Sequence, residues 1–144
     1  MNDNRYQRGL SKLTEYTAAT AGESHFKIAD RLGDIAPDIG KYIIEFAYGD
    51  IYTRPNLDNQ QRALVTLASL ATLGTEPQIE LHLNTALTSG LSPNQIVEIF
   101  MQLIPYTGFP RVLNALEIAQ KVFEQRGATV DTSCQATAHA SGDS

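Results

Sequence analysis

Residues 58–74 read DNQQRALVTLASLATLG. Asp58 stands as a helix N-cap, and Gln61, three residues on, completes a capping box in which each side chain bonds the other's backbone N–H. Gly74 closes the run as a helix C-cap does. Between these stops the segment is apolar on nearly every side: Ala63, Leu64, Val65, Leu67, Ala68, Leu70 and Ala71. The stretch predicts a helix over about 59–73. With so little polar surface, that helix must be covered, within the subunit or by another one.

The segments on either side carry the same period. Downstream, a helix is expected from about Glu76 to Ser89, stopped at Gly90. Ser92-Pro93-Asn94-Gln95 then joins an N-cap, a first-turn proline and a third-position glutamine, the strongest helix start in the chain. Ile96, Phe100, Leu103 and Ile104 supply its buried face, and Pro105 ends or kinks it. A last helix, about Pro110 to Arg126, buries Val112, Ala115, Leu116, Ala119, Val122 and Phe123. Upstream, residues 49–57 (GDIYTRPNL) read as a loop, because Pro55 restricts Arg54 as well as itself. Pro37 suits a first helical position, and Ile39, Tyr42, Ile43, Phe46 and Ala47 form an apolar stripe ending near Gly49. A short helix near His25 to Asp34 follows the Ala-Gly break at Gly22. Tyr6, Leu10, Leu13 and Thr17 recur at helical spacing near the start. No alternating strand pattern appears. The expectation is an all-α bundle of about six to seven helices in one domain, residues 1–127. A polar C-terminal tail, 128–144, has little periodicity and is expected to be mobile.

Bulk properties narrow the function classes. At 144 residues, 42% hydrophobic and 19% charged, the chain can bury one sizeable core. A net charge of −5, with scattered Arg and Lys, disfavours a nucleic-acid partner. No stretch approaches the roughly 20 apolar residues that span a bilayer. The N-terminus, MNDNRYQRGL, lacks the apolar core of a secretory signal. One cysteine, Cys134, forms no internal disulfide and fits a cytoplasmic setting.

The chemistry-bearing candidates are few. His82 ends residues 75–82 (TEPQIELH) and shares a stripe with Ile79 and Ala86, so it points inward. It is either a core histidine held by one hydrogen bond or an imidazole in a pocket, moving protons near neutral pH. Glu80 lies roughly 160° around the helix from it, so the two do not pair within one chain. Arg54, in a proline-fixed loop, is a candidate clamp for a carboxylate. Arg62, in the first turn of the apolar helix, is either half of a structural ion pair or a second clamp. Tyr48 and Tyr106 stand beside glycines at helix ends and offer hydroxyls to a ligand or to packing. The three histidines, His25, His82 and His139, are far apart, and neither HExxH nor CxxC occurs, so no metal site is expected. Phosphate-binding loops and the GxSxG elbow are missing as well. Cys134 sits in the tail with nothing to lower its pKa.

Residues 46–57 (FAYGDIYTRPNL), 61–74 (QRALVTLASLATLG) and 81–110 (LHLNTALTSGLSPNQIVEIFMQLIPYTGFP), with the Ala-rich last helix, resemble the carboxymuconolactone decarboxylase family. That family has an all-helical fold in common with the alkyl hydroperoxidase D-like proteins. The resemblance runs from about Phe46 to Phe123. In the redox branch of the family a CxxC pair precedes the helical His. Thr75 and Gln78 hold those positions here, and the acidic relay position is Ala63. Without two thiols no disulfide can cycle. The decarboxylase branch is similar at Gly49-Asp50, Thr53-Arg54-Pro55, Arg62, Leu81-His82 and the Tyr106-x-Gly turn. Phe46 replaces a frequent His, Tyr48 a Trp, Asn84 a frequent Arg, and Ser89-Gly90 the usual Asn-Gly. The first and third of these remove a proton donor and a carboxylate clamp, which argues against the namesake substrate.

The resemblance implies a cofactor-independent lyase acting on a small unsaturated carboxylated lactone or β-keto acid. His82 would deliver the proton, with Arg54, Arg62, Tyr48, Tyr106 and Glu80 binding substrate and no metal. The alternative is a non-redox member that binds a small molecule, or isomerises or cyclises it. The resemblance further implies a homo-oligomer, trimer or hexamer, with sites near subunit contacts. There Glu80 or Tyr48 of one chain would approach His82 of another.

Overall fold

The computed structural model describes residues 4–17 and 22–135, with the side chains of 22–25 set aside. The Ala-Gly stretch before Gly22, the His25 side chain, His139 and the tail from residue 136 lie outside the described residues. Every regular element among the described residues is helical: α1 (Arg5–Thr17), α2 (Gly22–Leu32), α3 (Ile39–Tyr42), α4 (Asn59–Leu73), α5 (Glu76–Thr88), α6 (Pro93–Gln102), the single turn α7 (Ile104–Thr107) and α8 (Phe109–Arg126). α3 runs without a break into a π-helix over Ile43–Ile51, and a 3₁₀ turn covers Thr132–Cys134. Among the described residues no helix is long and apolar enough to cross a membrane.

Local rules place α4 and α6 where the sequence puts them. The Gln61 N–H donates to Asp58 Oδ1 at 2.8 Å and the Asp58 N–H to Gln61 Oε1 at 2.9 Å. Ser92 and Gln95 repeat the arrangement at 3.1 and 2.9 Å. Gly74 closes α4 and Gly127 closes α8 in the left-handed region, where a side chain would be strained.

Two residues, Gly74 and Thr75, join α4 to α5, so these helices form a tight antiparallel hairpin. α6 and α8 pack against it. The core consists of Leu67 and Ala71 from α4, Ile79, Leu83 and Ala86 from α5, Ile96 and Phe100 from α6, and Val112, Ala115 and Val122 from α8, all fully buried. α4 divides its apolar surface between two surroundings. Ala63, Leu67 and Ala71 enter the core, whereas Val65 and Leu73 stay 55% and 62% exposed.

The stripe expected over 39–47 is rotated. Tyr42 and Phe46 face solvent, and the buried residues are Ile44, Glu45, Tyr48 and Gly49. The reason is helical pitch. Bonds in this segment run i→i+5, as in Tyr52 N–H to Ala47 O at 2.9 Å. A π-turn holds more residues than an α-turn, so positions i, i+4 and i+5 come round to one side. The helix also passes its expected stop at Gly49 and ends at Ile51. Gly49 is a contact instead of a stop. A Cβ there would sit 2.9 Å from Arg5 O, and one on Gly9 would sit 1.9 Å from Ile44 O. α1 and the π-helix therefore meet backbone to backbone. Arg5 Nε reaches Asp50 Oδ2 at 2.9 Å and Arg8 Nε reaches Gly49 O at 2.8 Å, tying the two together. Hydrogen bonds from Arg5, reinforced by Arg8, hold the Asp50 carboxyl below the usual carboxylate range. Pro37 sits in the turn before α3, not in its first helical turn.

The beginning of the C-terminal tail is packed. Ala128 and Val130 rest on the core. Asn94 and Asp131 exchange two 2.8 Å bonds, the side-chain amide of Asn94 standing in for a strand partner.

Candidate active site

Three tyrosines and one arginine gather where α1, the π-helix and α4 meet. Tyr16 comes from the inner face of α1, and Tyr48 from the π-helix. Tyr52 follows the last π-turn, and Arg62 comes from the first turn of α4. The Tyr48 and Tyr52 rings lie 4.7 Å apart, and the Tyr16 ring meets Tyr52 edge-on at 5.1 Å. Tyr52 Oη is 3.0 Å from Thr66 Oγ1. Tyr16 and Tyr48 are buried, and loss of water pushes both phenols far up, with Tyr52 adding to the effect. They stay neutral hydrogen-bond donors at any physiological pH.

Arg62 retains only 9% of its exposure. Its Nη2 donates to Arg54 O at 2.6 Å, and its guanidinium carbon lies 5.8 Å from the centre of the Tyr52 ring. Its Nε is buried with no hydrogen-bond partner among the described residues. From sequence, a structural ion pair is one reading of this residue. Among the described residues a carbonyl and an aromatic face take that place, and no carboxylate does. The arrangement is a cation withdrawn from water with one donor still to satisfy.

His82 is half-buried on α5, between the fully buried Ile79 and Ala86. At about 1.5 Å per residue, the α4–α5 hairpin sets it roughly 7 Å along the bundle from the level of Arg62.

The remaining candidates separate. Arg54 meets Arg62 through its backbone, while its own side chain is exposed. Tyr48 joins Arg62 through Tyr52. Glu80 lies on the other side of α5, its Oε1 3.1 Å from Lys121 Nζ, as helix spacing requires. Tyr106 is 79% exposed on α7, away from the tyrosine group. Phe46 points outward. Asn84 Nδ2 bonds back to Glu80 O at 3.1 Å, and Arg126 Nη1 stands 3.4 Å from Asn84 Oδ1.

Tyr16, Tyr52 and Thr66 were not singled out from sequence. Tyr48 and Tyr52 do show one signal, a four-residue spacing that aligns them on a helix. Tyr16 shows only its place three residues after Leu13 on the buried stripe of α1, a spacing that marks burial and not its neighbours.

A family model for the carboxymuconolactone decarboxylase family matches residues 37–121, more than half of the chain. The chain belongs to the carboxymuconolactone decarboxylase family. It is 33% identical over 129 residues to a 4-carboxymuconolactone decarboxylase of Acinetobacter baylyi, covering 88% of this chain and 93% of the relative. It is 35% identical over 81 residues to a nitrosuccinic acid decarboxylase of Metarhizium robertsii, covering 55% of each. An uncharacterized 15.0 kDa protein of Paracoccus denitrificans is 31% identical over 93 residues, covering 63% of this chain and 69% of that one. The part matching the carboxymuconolactone decarboxylase family takes in the π-helix, Arg54, Arg62 and His82; Tyr16, on α1, lies ahead of it.

Proposed function

We propose that this protein is a decarboxylase that needs no cofactor and acts on a small unsaturated carboxylated lactone or a β-keto acid. The observation that carries the reading is Arg62, a buried guanidinium with an unused Nε–H and no carboxylate partner among the described residues. A substrate carboxylate supplies the missing acceptor and the missing charge together. Relatives named as decarboxylases of carboxylated small molecules support it from a separate direction.

The chemistry follows from the substrate class. Arg62, helped by Arg54 at the loop, orients the carboxylate. The bond between that carboxylate carbon and the skeleton breaks, CO2 leaves, and its electron pair moves into the conjugated carbonyl. Tyr48, a phenol that stays protonated, is a candidate donor to the oxygen where this charge develops. His82 delivers a proton to the carbon that lost CO2 and regains one from solvent. Acid catalysis of this kind contributes about 10²–10⁴-fold, and positioning and electrostatics supply the remainder. Tyr106 and Glu80, distant in one chain, take part only if a neighbouring subunit brings them in. We therefore couple this reading to a homo-oligomer, trimer or hexamer, in the cytoplasm.

The second reading, a binder or an isomerase, draws support from Phe46 and Asn84, which lack the proton donor and the cation implied by the family resemblance. A panel of unsaturated carboxylated lactones and β-keto acids separates the classes. CO2 release that drops 10²–10⁴-fold in His82→Ala supports the lyase. Absorbance change without CO2 points to an isomerase, and thermal stabilisation without turnover points to a binder. A His82→Ala protein with full CO2 release removes the histidine from the scheme.

A further inference from the structure

Tyr16 is the largest side chain fully enclosed among the described residues. Packing accounts for its ring, which meets the Tyr52 ring edge-on at 5.1 Å and lies 6.2 Å from that of Tyr48. Packing does not account for its hydroxyl. Tyr16 Oη is shielded from solvent and has no hydrogen-bond partner among the described residues. The hydroxyl of Tyr52 is engaged elsewhere, with Thr66 Oγ1 at 3.0 Å. A hydroxyl enclosed without a partner destabilises a fold, and a phenylalanine would fill the same space without that cost.

A second unpaired donor stands in the same cluster. Arg62 Nε is buried without a partner among the described residues. Tyr52 links the two side chains: Tyr16 packs against its ring, and the Arg62 guanidinium carbon lies 5.8 Å from the centre of that ring. The charge of Arg62 reaches Tyr16. Burial and Tyr52 push the phenol up, and Arg62 alone pulls it down. Two buried donors beside one uncompensated cation call for an acceptor that carries negative charge. A neutral water would answer the hydrogen bonds and leave the charge unbalanced.

We infer that Tyr16 is a substrate-binding residue: its hydroxyl and Arg62 Nε–H together receive one carboxylate where α1, the π-helix and α4 meet. The identity of the anion rests on the decarboxylase reading, and Tyr16 adds to it a group from outside the family match, since α1 precedes residues 37–121. Two donors on different helices fix the plane of a carboxylate, which a single contact leaves free to turn. That plane matters to the chemistry. The bond to be broken must stand across the conjugated system for its electron pair to enter it. The phenol is also neutral, so it orients the carboxylate without adding a second charge that would hold CO2 back. Gly9 and Gly49, which let α1 approach the π-helix, thereby set the position of a group that touches substrate.

Crotonate and crotonamide test it, since they share a skeleton and differ in the carboxylate. Binding to the full chain is followed at the Arg62 Nε–H by NMR, and crotonate should bind about tenfold tighter or more. The shielded Tyr16 hydroxyl proton of the parent chain should shift downfield with crotonate and stay in place with crotonamide. Tyr16→Phe keeps the ring and removes one oxygen. It should weaken crotonate binding about tenfold, raise KM for a carboxylated substrate by a similar factor, and leave Tm unchanged or higher. Unchanged crotonate affinity in Tyr16→Phe overturns the proposal, and a fall in Tm alongside it assigns the hydroxyl to an internal water. A Tyr16 hydroxyl proton that crotonate does not move overturns it too, as does a parent chain whose Arg62 signal ignores crotonate. Tyr16-dependent crotonate binding in a chain that releases no CO2 would remove the lyase and retain the two-donor site. CO2 release with an unaltered KM in Tyr16→Phe would retain the lyase and remove Tyr16.

Discussion

Arg62 is the residue whose surroundings differ most from those of an ordinary charged side chain. Removing one partner of a buried ion pair is expensive, because the other charge is stranded. Arg62 has no such partner among the described residues, so Arg62→Met strands no charge; it frees only the Arg54 carbonyl, beside an exposed side chain, and fills the space with a side chain of similar length. Its unfolding free energy should stay within about 1 kcal/mol of the parent or rise above it. KM for a carboxylated substrate should increase at least tenfold, because the same change deletes the anchor. Denaturant melts and steady-state kinetics on one preparation check both. A large loss of stability with unchanged KM would make Arg62 structural.

The tyrosines beside it make a separate prediction. The folded pKa values of Tyr16 and Tyr48 are raised above the unfolded value of about 10, so the folded chain keeps protons that the unfolded chain releases. Their contribution to stability is complete below pH 10 and is lost progressively as pH climbs beyond it. Titration followed near 295 nm should show two of the six tyrosines failing to ionise until the chain unfolds. Six phenols titrating together in a folded chain would contradict the burial.

At the scale of elements, the contrast between α4 and the π-helix separates what local sequence can show from what it cannot. The cap of α4 is a contract between Asp58 and Gln61, written within four residues, and it is realised as written. Asp58→Ala should cost about 1 kcal/mol, read as a shift in the denaturation midpoint. The π-helix is not written locally. Ile39, Tyr42, Ile43 and Phe46 make a good α-stripe, yet the extra residue per turn sends Phe46 outward and Tyr48 inward. What holds that pitch is α1, whose Gly9 admits the Ile44 carbonyl and whose arginines bind Gly49 O and Asp50. Gly9→Ala forces a methyl into that carbonyl. It should cost about 1–3 kcal/mol or more by overpacking. It should also disturb Tyr16 and Tyr48, seen as earlier ionisation of those phenols. An unaltered Tm would mean the two backbones part easily.

At the scale of the whole molecule, the single chain leaves a set of large apolar side chains on α4 and α8 exposed. Phe109 and Leu113 on α8 are more than half exposed, as are Val65 and Leu73 on α4. Arg111 Nη1 donates to Leu73 O at 3.0 Å, which places the end of α4 beside the start of α8. Exposure on this scale fits the homo-oligomer proposed above. Sedimentation should show an assembly at micromolar concentration, and Val65→Glu should shift it toward monomers while preserving helical content. A stable monomer in the parent protein would exclude the assembly, and with it any role for Tyr106 and Glu80 in a shared site.

By itself the sequence determined α4, α5, α6 and α8, the caps at Asp58 and Ser92, and most of the core these helices build. Helix spacing and capping act over three or four residues, and a chain of this composition has no competing strand pattern. It also located Arg62 and His82 at notable positions on their helices. The tertiary structure alone decided which residues surround them. Tyr16 reaches Tyr52 only because two glycine-lined backbones touch, and the inward turn of Tyr48 depends on a pitch that no local period announces. The same holds for residues 128–135, whose docking rests on Asn94, far away in the chain. Contacts between distant segments are set by how the helices pack, and a short-range pattern holds no record of that.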